Sequence, residues 1–134
     1  MTDRRRHLLG SLVALVALTV LLVSVATWAG AAGRASQKAF TFTNNEGQAV
    51  NDLHIEFGQA VKGKCRFGIF PNVQGQGTNV IDFSGSTIAA GASVQCGFRS
   101  SANRITIRQW WWTLDGQQVG TIKQGCQAPD CTSP

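Results

Sequence analysis

Asp52, His54 and Glu56 occupy alternate positions in the run NDLHIEFG. A strand sends alternate side chains to the same face. The spacing therefore sets two carboxylates and an imidazole side by side, a donor set able to hold a divalent metal and, through it, to support a metal-dependent hydrolase centred on His54. The same alternation has a plainer account: Leu53, Ile55 and Phe57 face a core, and the polar residues between them face water. Asp52 can equally close the preceding turn, NNEGQAVND, by a bond from its side chain to the backbone. On the plainer account the chain needs neither metal nor cofactor.

The stretch RQWWWTLDG places Trp110, Trp111 and Trp112 in succession. Perfect alternation would set Trp110 and Trp112 together on an outer face, about 6.6 Å apart, a spacing suited to adjacent rings of a polysaccharide. A one-residue bulge near Arg108–Gln109 reverses that parity. Ile105, Ile107, Trp110, Trp112, Leu114 and Val119 then share the core, and Trp111 and Thr113 face outward, Trp111 over Gly120 of the next strand. The bulged register buries more apolar surface, at roughly 25 cal/mol per Å², and is the one expected. Tryptophan is enriched at binding hot spots, so Trp110, Trp111 and Trp112 are candidate ligand contacts, against the simpler role of covering a sheet edge or a glycine.

Other catalytic arrangements are missing. His7 lies near the N-terminus, which leaves His54 as the one histidine for a triad. The chain contains no GxSxG, no HExxH and no phosphate-cradling glycine loop. Glu46, Asp52, Glu56, Asp82, Asp115 and Asp130 show no spacing that separates an acid from a base. The reading is a protein without catalysis.

The N-terminal third follows a different logic. MTDRRRH is a positively charged opening, Leu8 to Ala26 is an uncharged apolar run, and TWAGAAGRASQ offers small residues at Ala29 and Ala31 or at Gly33 and Ala35. These regions, in this order, make a secretory signal. The run is also nearly long enough to span a bilayer, so an uncleaved anchor over residues 8–28, with the domain outside, is the alternative. Arg5-Arg6-His7-Leu8-Leu9 also resembles a twin-arginine export signal. The formal charge of +5 belongs mostly to this segment: from Ser36 onward eight basic and six acidic residues remain. Only KGKCR is locally dense, and no basic stripe of the kind that binds nucleic acid is visible.

All four cysteines fall in the exported part. In an oxidising compartment an even set reads as disulfides. The expected pairs are Cys65–Cys96, joining two strand-like segments, and Cys126–Cys131, closing the loop CQAPDC. A four-thiolate zinc site is the alternative, but Cys65 and Cys96 lack the short-spaced partners such sites use.

The elements that must position these residues are strands. AFTFTN, NDLHIEFG, CRFGIF, NVIDFSG, the short Thr87–Ala89, SVQCGFR, NRITIRQWWWTL and QQVGTI alternate apolar and polar residues, with turn residues between them. Asp115-Gly116 is a two-residue hairpin signal. It sets Leu114 opposite Gln117, Trp112 opposite Val119, Trp111 opposite Gly120 and Trp110 opposite Thr121. NVQGQGTN reads as a flexible loop. Seven or eight short strands indicate an all-β, antiparallel, immunoglobulin-like sandwich, with a small closed barrel as second choice. The expected division is residues 1–35 as signal or anchor, 36–125 as the β domain, and 126–134 as a disulfide loop and tail.

FTFTNNEGQAVNDLHIEF and STIAAGASVQCGF resemble small exported bacterial β-sandwich proteins of unknown function, in which an opening strand and a turn precede an NDLH strand. The resemblance implies an exported sandwich and carries no activity and no functional residue. The expectation is a binding or structural module of the cell exterior, whose partner is an extracellular protein or a polysaccharide. Nucleic acid is not expected, and membrane enters only through an uncleaved N-terminal segment. A carbohydrate-binding module using the tryptophans is the first alternative.

Overall fold

The computed structural model describes residues 35–126, 130 and 131. The expected signal or anchor lies, apart from Ala35, outside the described residues, as does most of the C-terminal tail. No helix among the described residues is long and apolar enough to cross a membrane.

The described part of the chain is all-β and, with one exception, antiparallel. Its strands are β1 (Ser36–Thr43), β2 (Val50–Cys65), β3 (Asn72–Gln74), β4 (Thr78–Ile88), β5 (Ser93–Ser100), β6 (Ile107–Leu114), β7 (Gln117–Cys126) and β8 (Asp130–Cys131). One hydrogen-bonded set runs β3-β4-β2-β6-β7 and the other runs β2-β5-β1-β8, the β1–β8 pair being parallel. β2 belongs to both. Its first part pairs with β4 and β6, and Lys62–Cys65 pair with β5. The pairing does not return on itself among the described residues, so no closed barrel forms.

The buried faces of the two sets meet through aromatic rings. Phe42 of β1 lies edge-on to Trp110 of β6 at 5.2 Å, and Phe57 of β2 reaches Phe98 of β5 at 4.8 Å. Tilted and edge-on arrangements suit the ring quadrupoles. Leu53, Ile55, Ile81 and Phe83 fill the space between, all fully buried. Gly63 faces Phe98 across the β2–β5 pair, and a side chain there would strike that ring. Disulfides join Cys65 to Cys96 and Cys126 to Cys131, as the cysteine spacing predicts. Such cross-links persist in oxidising, extracellular surroundings and typically add a few kcal/mol.

The bulge expected near Arg108–Gln109 is present: the β2–β6 register shifts between Glu56–Gln109 and Phe57–Ile107. Ile105, Ile107, Trp110 and Trp112 are accordingly buried. The hairpin turn is also as expected. Asp115 and Gly116 both have positive φ, and Leu114 opposes Gln117.

Four local expectations are corrected. Trp110 opposes Lys123 rather than Thr121, because β7 bulges outward over Gly120–Ile122 opposite Trp111. The predicted strand CRFGIF is instead a short 3-10 turn over Arg66–Gly68, in which Phe67 and Gly68 take left-handed φ values of 59° and 60°. The NDLH strand does not stop at Gly58 but continues to Cys65. NVQGQGTN, finally, contains the short strand β3, and its remainder is pinned to β2: Gly77 donates to the Val61 carbonyl at 2.7 Å, while the Gln76 amide pairs with both backbone groups of Gly63.

Candidate functional site

The residues singled out from the sequence lie on the outer face of the β4-β2-β6 strip. β2 alternates as predicted, with Leu53, Ile55 and Phe57 buried and Asp52, His54 and Glu56 half-buried on the other side. The register brings Asp82 of β4 and Trp111 of β6 to either side of His54, and Thr113 beside Asp52.

These neighbours form a continuous chain of hydrogen bonds. His54 Nδ1 lies 2.6 Å from Asp82 Oδ1, and Nε2 lies 3.1 Å from Thr113 Oγ1. The Thr113 hydroxyl donates to Asp52 Oδ2 at 2.9 Å. A hydroxyl has one proton to give. With that proton directed at Asp52, Oγ1 is left to accept from Nε2–H. The His54 ring also lies flat against Trp111, with centroids 5.2 Å apart and planes 11° apart.

Glu56 belongs to a separate row. It accepts from Gln109 Nε2 at 2.8 Å and sits 3.8 Å from an Arg108 guanidinium nitrogen. Gln109 in turn accepts from Gln124 at 3.3 Å. Asp52, His54 and Glu56 thus share a face, yet each bonds sideways to a neighbouring strand instead of converging on a point. Successive same-face positions on a strand are about 6.8 Å apart, while ligands of one metal must crowd within about 2 Å of it. Among the described residues no group of three His, Cys, Asp or Glu side chains is arranged to hold a metal ion.

The tryptophans divide by depth. Trp110 and Trp112 are 1% and 0% exposed, so neither can stack on a ligand. Trp111 is half-buried, with one ring face occupied by His54. The pair of outward rings that would suit a polysaccharide does not occur.

Comparison with protein-family models, curated proteins and solved structures finds no match.

Sequence patterning counts Asp82 among the carboxylates and turns Thr113 outward, but it connects neither to His54, whose polar contacts they complete. Asp82 alternates outward between Ile81 and Phe83, a visible signal. Its opposition to His54 depends on β2 pairing with β4, which no local pattern specifies.

A second ionic contact lies at the edge of the core. The Lys123 ammonium bonds to Glu46, with side-chain exposures of only 6% and 10%. It also donates to the Thr121 carbonyl at 3.1 Å and lies 5.2 Å from the Trp110 ring centroid. Gly120, at φ 67°, leaves the space that the Glu46 carboxylate occupies. The contact ties the β1–β2 loop to β7.

Proposed function

We propose that this protein is an exported, non-catalytic binding or structural module of the cell exterior, its domain an immunoglobulin-like β-sandwich. The observation that carries the non-catalytic reading is the closed hydrogen-bond chain through His54. Both ring nitrogens are engaged, the Thr113 hydroxyl is buried and directed at Asp52, and among the described residues no other hydroxyl bonds to the ring. Triad chemistry needs a hydroxyl that gives its proton to the base and is open to substrate; Thr113 meets neither condition. The metal-dependent hydrolase loses support too, since both ring nitrogens already face hydrogen-bond partners on neighbouring strands.

Two disulfides and the basic, apolar, small-residue order of the N-terminus support export. Half-burial of Trp111, and full burial of its neighbours, weigh against a polysaccharide platform built from adjacent rings. N-terminal sequencing and thiol titration of material collected outside the cell test the reading. The expected result is a chain beginning between residues 30 and 36, with no titratable thiol. Protein confined to the cytosol with four reactive thiols would overturn it. Unchanged thermal stability in chelator, with no metal bound on purification, is expected if His54 serves structure.

A further inference from the structure

The outer face of the second strand set carries an open groove of about 850 Å³. Lys62, Lys64, Arg66 and Arg99 line it, and no acidic residue does. Register explains the assembly. Lys62 is opposite Arg99, which is opposite Gln37; in the next row Lys64 is opposite Gly97, which is opposite Ala39. The second row therefore lacks bulk, and Gly97 and Ala39 form a low floor between the cations. Gln76, held by Gly63, closes the β2 side.

Two features set this face apart. Lys62 and Arg99 stand directly opposite each other across an antiparallel pair, an arrangement that destabilises a sheet. Among the described residues, none of the four cations forms an ion pair. The acids on the opposite face of the molecule are, by contrast, engaged: Asp82 with His54, Asp52 with Thr113, and Glu56 with Gln109. A domain with a net charge of only +2 from Ser36 onward has thus gathered four unopposed positive charges on one strip, at a cost to its own stability. Departures of this kind from local consistency are characteristic of functional sites.

We propose that this groove binds a linear polyanion bearing phosphate or carboxylate groups. This rests on the reading of the protein as a binding module and names the chemistry of its ligand. The groove is open, which suits a chain lying along it better than a small molecule enclosed by it. Same-face positions on β2 repeat about every 6.8 Å, so Lys62 and Lys64 meet successive charges, while Arg66 and Arg99 can fork onto single oxyanions. No aromatic side chain lines the groove. This weighs against single-stranded nucleic acid, whose bases stack on such rings, and against a neutral sugar platform.

The test uses the full chain, purified with both disulfides intact, so its outcome does not depend on the compartment in which the protein is found. Binding is measured in about 50 mM salt to inorganic polyphosphate, to polygalacturonate and to uncharged dextran. Binding to one or both polyanions and not to dextran is expected, and which of the two is preferred distinguishes phosphate from carboxylate as the natural group. Each of Lys62→Ala, Lys64→Ala and Arg99→Ala should weaken binding about tenfold, because each charged contact releases a counterion and low salt rewards that release. Arg104→Ala carries the same charge change outside the groove and should alter binding by no more than about twofold. Lys62→Ala and Arg99→Ala should also raise the melting temperature in low salt by relieving their mutual repulsion, which separates lost binding from lost folding. The proposal fails if the wild type binds neither polyanion, or if Arg104→Ala weakens binding as much as the groove variants do. Salt-sensitive self-association abolished by Lys64→Glu, without polyanion binding, would overturn it in favour of a second copy of the chain.

Discussion

Removing the Glu46 carboxylate should be among the most damaging single changes outside the aromatic core. In Glu46→Ala the Lys123 ammonium stays buried, keeping only the Thr121 carbonyl and the Trp110 ring as partners. Breaking a buried ion pair from one side costs about 3–5 kcal/mol, since the remaining charge is left uncompensated. The ring returns about 1 kcal/mol of that at a site sheltered from water. The expected loss is therefore about 3 kcal/mol, a large share of the 5–15 kcal/mol typical of a domain and roughly a 12–24 °C fall in Tm at this size. Lys123→Met alone should cost a similar amount by stranding the carboxylate. The double variant Glu46→Leu with Lys123→Met should recover most of it, as apolar replacement of a buried pair is often neutral. Urea unfolding followed by tryptophan emission reads all three, with Trp110 beside the altered group. A loss under about 1 kcal/mol in Glu46→Ala, or strict additivity in the double variant, would refute the reasoning: the pair would then be behaving as a solvent-exposed one.

Other outcomes follow from single contacts. Gly120→Ala should cost about 1–2 kcal/mol from its left-handed φ alone and more from displacing the Glu46 carboxylate; in a Glu46→Ala background the second part should vanish from the unfolding curves. Asn44 is fully buried, donates to the Gln48 and Ile88 carbonyls and accepts from the Glu46 amide, so Asn44→Ala should lower unfolding free energy by about 3 kcal/mol. Phe67 holds φ 59° with 99% of its surface exposed. Phe67→Asn, which tolerates that conformation without losing packing, should raise stability by about 0.5–1 kcal/mol in chemical denaturation.

The parts of the fold that were legible in the sequence are those written into one or two strands. The β6–β7 turn followed from Asp115-Gly116, and the burial of Trp110 and Trp112 followed from counting apolar area on either side of a bulge. Both disulfides were inferred from placing cysteines on strand-like segments and in a tight loop. What was not legible depends on distant pairing. The alternation of NDLHIEFG predicts a strand only as far as Gly58, yet Gly58 donates to the Thr106 carbonyl and the strand runs on to Cys65. Lys62 and Lys64 were visible as a dense spot; that Arg99 would join them became apparent only once β5 lay beside β2. His54 is legible from its own strand, but Asp82 and Thr113 come from strands on either side of it, and their roles are fixed by register.

The short parallel strand β8 sits beside Thr41 and Phe42 of β1, and Cys131 within it is bridged to the end of β7. Without that clasp Thr41 and Phe42 would offer their backbone groups to an extended peptide, since an uncovered sheet margin is a template for recruitment. The small disulfide tethers the strand that covers this stretch of margin, and its reduction should make the molecule more prone to self-association, read by light scattering with and without reductant.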